Sequence, residues 1–239
     1  MRALLLAAGL GTRLRPITNS IPKCLVPIHG RALIDYWFDL LAGADIEPII
    51  VNTHYFADKV TAHVGASVHR ERITLVHEAD LLGTGGTMVA QRHLLEAQPF
   101  LMAHADNLTD LDVRGMMEAH AGRPANVAIT MLAFQTDDPQ SCGILECVDN
   151  LVVQFHEKVE NPPGNLANAA VYIIEPEVLD FAVGLNRAFV DFSTDVIPHF
   201  MGRIQMFETK GYHRDIGNPR ALELAHLEFP KPRSATAAS

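Results

Sequence analysis

Gly9, Gly11, Arg13, Arg15 and Lys23 crowd into one short stretch near the start of the chain, directly after the apolar run Leu4 to Ala7. The run suits a buried parallel strand, and two glycines in the following turn let backbone N–H groups approach an anion closely. Two arginines and a lysine then supply positive charge. Together these residues could hold a nucleoside triphosphate; a plain tight connection is the alternative for the glycines alone. The string lacks the third glycine of a dinucleotide fingerprint and the Gly-Lys-Ser/Thr ending of a P-loop, so neither of those sites applies.

Asp106 is the second chemical landmark. It closes the run PFLMAHAD (99–106), at the C-terminal end of an expected strand, where open α/β sheets bind their ligands. A carboxylate there can hold magnesium, or simply cap a helix or a turn. Asp215, in GYHRDIGNP, reads on its own as a turn residue, and Asp112 and Asp191 suit helix caps. Glu157-Lys158 alone is ordinary surface composition, and His104 reads as a strand histidine satisfied by a neighbour, with a substrate contact the alternative. HEADLLGTGGT (77–87) follows one expected strand and opens a helix. Its glycines either admit a flat base or merely start that helix.

The elements that must position these groups alternate along the chain. IEPIIVN (46–52), ITLVH (73–77) and PFLMAHAD are apolar, strand-like runs. ALIDYWFDLLAGA and TMVAQRHLLEA between them carry apolar residues at three- and four-residue spacing, as helices covering a sheet do. The pattern predicts an α/β fold with a doubly wound sheet. After about residue 126, NVAITMLAF, GILECV, LVVQFHEK and NLANAAVYII predict closely spaced strands that extend a mixed sheet. No internal repeat is visible. One domain is expected over residues 1–228, with FPKPRSATAAS (229–239) a disordered tail.

With 239 residues, 48% of them hydrophobic and 20% charged, the chain can bury one substantial core. A net charge of −9 and a pI near 5.7 speak against nucleic acid as a partner, so any phosphate must be met by local positive charge. Three cysteines without metal-ligand spacing point to reduced thiols and a cytoplasmic setting. The 12 histidines form no metal-spaced set, which disfavours zinc. Arg2 followed by LLLAAGL fails as a secretion signal because glycines interrupt it and arginines follow. No run reaches the roughly 18 apolar residues of a membrane span.

The segment AAGLGTRLRPITNSIPKCLVPI resembles the signature of the sugar-1-phosphate nucleotidylyltransferases: Gly-x-Gly-Thr-Arg-Leu-x-Pro, then Pro-Lys-x-Leu-x-Pro. The resemblance implies a Rossmann-like, GT-A-like nucleotidyltransferase fold. It implies nucleotide contacts from Ala7, Ala8, Gly9, Gly11, Thr12 and Arg13, and from Glu78, Gly83, Thr84 and Gly85 in the later glycine string. Arg13 and Lys23 would meet the triphosphate, and Asp106 and Asp215 would hold Mg2+. Asn107, Gly143, Glu157, Lys158 and Asn168 would bind the sugar phosphate. Departures from the pattern are Cys24, Ala105, Val159 and Ala170, where the family more often has proline, glycine, proline and glycine.

The string HEADLLGTGGT is similar to that of guanylyltransferases acting on manno-configured sugar phosphates. That similarity implies GTP together with mannose 1-phosphate or D-glycero-D-manno-heptose 1-phosphate. A uridylyl- or thymidylyltransferase of the same family is the alternative, followed by a non-catalytic nucleotide-sugar sensor. A glycosyltransferase using Asp110-Leu-Asp112 is the rival from outside the family. Members of this length often pair as homodimers, though no stretch of this sequence identifies an interface.

Overall fold

A computed structural model describes residues 1–95 and 97–231. The chain runs through β1 (Arg2–Leu6), a small hairpin of β2 (Pro27–Ile28) and β3 (Arg31–Ala32), α1 (Leu33–Gly43), β4 (Ile49–Thr53), α2 (Ala57–Ala66) and β5 (Ile73–His77). It continues through α3 (Thr84–Ala90), α4 (Arg92–Leu95), β6 (Phe100–His104), β7 (Asn107–Thr109), α5 (Val113–Ala121) and β8 (Ile129–Gln135). Then come β9 (Gly143–Val148), β10 (Leu151–Glu157), β11 (Leu166–Ile174), α6 (Pro176–Gly184), β12 (Ile204–Glu208), β13 (His213–Asp215) and α7 (Pro219–Glu228). The expected strand runs are all present. Ile46 is buried ahead of β4 rather than within it, and Ala105 and Asp106 form a turn after β6.

Nine strands make one sheet in the order β5-β4-β1-β6-β11-β8-β12-β10-β9. β5, β4, β1 and β6 are parallel, and β11 enters antiparallel between β6 and β8. The result is the doubly wound mixed sheet that the alternation predicts, and the strands after residue 126 extend it. Because side chains alternate across a strand, β1 serves both layers. Ala3 and Leu5 pack with Trp37 and Phe38 of α1, Val60 of α2 and Met116 of α5. Leu4 packs on the opposite face with Met88 of α3, Val178 of α6 and Tyr172 of β11. Each such fully buried leucine contributes roughly 1.5–3 kcal/mol of transfer free energy.

From β1 the chain winds outward to β4 and β5, then returns to place β6 on the other side of β1. The loops that leave the C-terminal ends of β1 and β6 therefore diverge around a crevice, the usual ligand position in such sheets. A smaller apolar cluster closes one flank of it. Leu14, Val26, Ile28 and Leu33 from the N-terminal segment pack with Leu108, Ile216 and Leu222. The two-stranded ladder of β7 and β13 joins this cluster to the sheet. Phe229 packs edge-on against Tyr36 and Tyr212. Residues 232–239, most of the expected tail, lie outside the described residues. No helix among the described residues is long and apolar enough to cross a membrane.

Trp37 connects this architecture to the crevice. Its indole is 1% exposed and donates from Nε1 to the Asn107 carbonyl at 2.8 Å, one residue beyond Asp106. Trp37→Ala should cost about 3–5 kcal/mol, because it leaves a cavity as well as an unpaired carbonyl. Trp37→Phe should cost about 1–3 kcal/mol, since most of the volume remains. Urea denaturation of the two variants measures both values.

Candidate active site

A cavity of about 480 Å³ opens where the loops after β1 and β6 diverge, and Ala7, Ala8, Gly9, Gly11, Thr12 and Arg13 form one wall of it. Gly11 adopts the left-handed conformation (φ 61°), and a Cβ there would come within 3.0 Å of Thr18 Cγ2. The Thr18 hydroxyl donates to the Gly11 carbonyl at 2.7 Å, which holds the turn. Among the described residues, apart from its chain neighbours, nothing would lie within 4 Å of a Cβ on Gly9. The loop backbone can thus approach a phosphate without a side chain in the way.

Lys23 and the two aspartates form the charged centre. The Lys23 ammonium lies 2.7 Å from Asp106 Oδ2 and 2.6 Å from Asp215 Oδ1. Arg13 stands 3.7 Å from the other oxygen of Asp215 and is largely solvent-exposed. Lys23 is buried, which by itself would lower its pKa, but the charges of Asp106 and Asp215 outweigh burial and raise it. For Asp106 burial acts upward, and the positive charge of Lys23 with its hydrogen bond prevails, so the carboxyl ionises below its ordinary range. Burial pushes the adjacent Cys24 thiol up to about 12, leaving it no thiolate chemistry at neutral pH.

The opposite wall contains groups that local sequence patterns did not reveal. Asn52, at the end of β4, accepts from the Ala7 N–H at 2.7 Å. Its amide donates to Glu78 Oε1 and Thr87 Oγ1, both at 3.2 Å. Glu78 is therefore held at the cavity wall while its buried Oε2 has no hydrogen-bond partner among the described residues. Gly83 and Thr84 also line the cavity, whereas Gly85 does not. The Gly85 N–H donates to the Val190 carbonyl at 2.9 Å and packs the string against that segment. Only the pairing of Asn52 with a loop 45 residues away could have identified it.

The residues expected on the acceptor side gather where β9, β10 and β11 meet. Gly143 pairs with Glu157 across β9 and β10, and a Cβ on Gly143 would lie 2.7 Å from Glu157 Oε2. Lys158 Nζ lies 2.9 Å from Glu157 Oε1. Asn168 accepts from the Ala170 N–H at 2.9 Å and donates to the Tyr172 hydroxyl at 2.7 Å, in a bulge where Ala170 has φ 53°. A glycine would adopt that angle more easily, which matches the departure noted at this position.

Asn107 braces the site from within. It is 4% exposed and donates from Nδ2 to the Ala169 carbonyl at 2.9 Å, which braces the bulge. The Asp-x-Asp pair is likewise engaged in structure. Asp112 caps α5 through the Gly115 N–H at 2.9 Å, and Asp110 accepts from the Tyr212 N–H at 2.5 Å. Asp191 also caps, accepting from the Thr194 N–H at 3.0 Å.

A second cavity of about 210 Å³ lies beside Asp215, lined by Thr136, Cys142, His213 and Arg214 among others, and Arg13 reaches both cavities. The His213 ring packs 4.6 Å from that of Phe134, and burial drives its pKa down to about 3. The folded chain therefore holds this imidazole neutral, while the unfolded chain protonates it below about 6.5. Its contribution is intact above pH 6.5 and is lost progressively as pH falls from 6.5 toward 3. His213→Phe should flatten that part of the stability profile, removing up to about 1.4 kcal/mol per pH unit. Chemical denaturation at pH 7, 6, 5 and 4 reads the slope.

Comparison with known proteins follows the same lines. Residues 2–231 match the model of the nucleotidyl transferase family. The chain is 31% identical over 239 residues to a provisionally named mannose-1-phosphate guanyltransferase of Sulfolobus acidocaldarius, covering 96% of this chain and 64% of that protein. It is 30% identical over 230 residues to the mannose-1-phosphate guanyltransferase of Pichia angusta, covering 92% and 62%. The chain thus spans under two thirds of the length of these relatives. Among solved structures, HddC from Yersinia pseudotuberculosis, complexed with GMP-PN, superposes with a TM-score of 0.80 at 26% identity, covering 96% of this chain and 99% of that one. By its sequence match across nearly its whole length, the chain belongs to the nucleotidyl transferase family.

Proposed function

We propose that this chain catalyses nucleotidylyl transfer from GTP to a manno-configured sugar 1-phosphate, releasing pyrophosphate. The observation that carries the reading is the Lys23 ammonium between Asp106 and Asp215, flanked by two cavities that share Arg13. One cavity suits a nucleotide, with the backbone of the loop after β1 and the Glu78 carboxylate both on its lining. The region around Gly143, Glu157, Lys158 and Asn168 suits the acceptor.

A phosphate monoester has its second pKa near 6 and is already mostly ionised at pH 7, so its oxygen can attack the α-phosphorus in line without a general base. The electron pair of the breaking P–O bond leaves with pyrophosphate, and no covalent intermediate is needed. The difficulty is repulsion between two polyanions, roughly 4 kcal/mol for each pair of unit charges about 4 Å apart at an effective dielectric near 20. Lys23 would take charge developing at the α-phosphate and Arg13 would hold the departing pyrophosphate, while Lys158 orients the acceptor phosphate.

Asp106 and Asp215 present carboxylate oxygens to a single atom, a donor set that fits the one or two carboxylates by which magnesium is commonly held beside phosphates. When bound there, the metal would supply further neutralisation of phosphate charge. Guanine is favoured because the unpartnered Oε2 of Glu78 suits the N1–H and amino donors of that base, and because the relatives above are named guanyltransferases. A uridylyl- or thymidylyltransferase remains the second reading, since uracil and thymine also offer a ring N–H to such an oxygen.

Pyrophosphate release tests the proposal, with Mg2+ present and GTP, UTP, dTTP, ATP and CTP each paired with mannose 1-phosphate, manno-heptose 1-phosphate and glucose 1-phosphate. Release with GTP and a manno-configured acceptor is expected. Silence of a folded protein across these pairs would contradict it and favour a sensor. Asp106→Asn should lower turnover by roughly a hundredfold or more while leaving the fold intact. Glu157→Ala should raise the acceptor KM far more than the GTP KM, as initial rates with each substrate varied in turn will read.

A further inference from the structure

The glycine string 83–86 does more than line a wall, because it clasps a second segment of chain. The Gly85 and Gly86 N–H groups both donate to the Val190 carbonyl, at 2.9 and 3.0 Å, and the Val190 N–H donates to the Leu82 carbonyl at 3.0 Å. The Phe192 N–H donates to the Thr84 hydroxyl at 2.8 Å. A Cβ on Gly83 would meet the Val190 carbonyl oxygen at 2.4 Å, so only glycine allows the two segments to lie this close. An ion pair between Arg187 and Asp195 at 2.8 Å spans the clasped segment.

The clasp carries Phe189 to the cavity. Its ring is 57% exposed, an unusual state for a phenylalanine whose segment is held by backbone hydrogen bonds at Val190 and Phe192. Leu10 and Leu81, 39% and 41% exposed, line the same cavity, so three exposed apolar side chains border it. Such clustering marks a binding surface more often than chance exposure. The same lining combines the glycine loop, Arg13, Lys23 and Asp106 with Glu78, Leu81, Gly83 and Phe189, and its apolar members suit the base, the flat, apolar part of a nucleotide.

We infer that Phe189 is the stacking platform for the base of the bound nucleotide, set in place by the glycine string. The inference rests on the nucleotidyl-transfer reading and adds a contact that the family's sequence motifs do not contain. Stacking recognises the π-face and not the hydrogen-bonding edge. Phe189 therefore supplies affinity, while choice among bases falls to the groups around Glu78.

Direct binding of GTP by calorimetry, without acceptor, provides the test. Phe189→Ala should weaken GTP binding roughly tenfold or more, with an unchanged thermal midpoint because the ring is exposed. Phe189→Trp should bind as the native protein does, and its new indole emission should shift on GTP addition, against the buried signal of Trp37, the chain's one tryptophan. Native-like GTP affinity in Phe189→Ala would overturn the inference while leaving the function reading intact. A native protein that binds none of the five nucleoside triphosphates would overturn that reading and the inference with it.

Discussion

One ammonium group shared by two carboxylates is the interaction around which the rest of the molecule is arranged. Lys23, Asp106 and Asp215 come from the first, middle and last parts of the chain, yet Nζ lies within 2.7 Å of an oxygen from each aspartate. Burying a lysine is costly, and only nearby negative charge makes its charged form tolerable. Two carboxylates more than compensate, leaving a local net charge of about −1 that Arg13 offsets from the solvent side. A buried cation between flexible partners would gain little, so the surrounding structure must hold all three groups in place. The sheet fixes Asp106 at the end of β6. The ladder of β7 and β13 brings Asp215 alongside, and the cluster of Leu14, Val26, Leu108 and Ile216 ties the Lys23 segment to both.

The same economy explains the two cavities. Loops that diverge at the switch point between β1 and β6 leave a crevice, and the chain fills its rim with segments that could not reach it from neighbouring sequence. Asn52 crosses from β4 to hold the Ala7 N–H and Glu78 at once. The segment around Val190 crosses from beyond α6 to dock on the glycine string. In both cases a polar wall is built from hydrogen bonds between strand ends or loops, above a core that is apolar on both faces of the sheet.

Much of this was legible in the sequence, and the remainder divides by the range of the contacts. The apolar runs gave the parallel strands because a strand buried on both faces must be continuously apolar, and helical spacing gave α1 and the α3–α4 region. The motif strings name residues that the fold gathers, Arg13, Lys23, Asp106 and Asp215 in one place and Gly143, Glu157 and Asn168 in another. Residue type within a motif did not determine what each side chain touches. Asn107 beside Asp106 looked like a ligand-facing amide, but the bulge of β11 left the Ala169 carbonyl needing a donor. Gly85 looked like part of a base pocket, but its N–H had already been claimed by Val190, 105 residues along the chain. Asn52 and Phe189 carried no local signal, since their positions depend on partners distant in sequence.

The central claim is that Asp106 and Asp215 form, with Lys23, a charged centre that gathers a metal-bound nucleotide. Manganese binding followed by electron paramagnetic resonance, in the presence of GTP, tests it most directly. Beyond the Mn2+ that GTP alone removes from the free signal, native protein should take up about one ion per chain, and Asp215→Asn, which leaves Lys23 its Asp106 partner, should take up far less in protein shown by circular dichroism to be folded. Equal Mn2+ uptake by the two proteins would contradict the account.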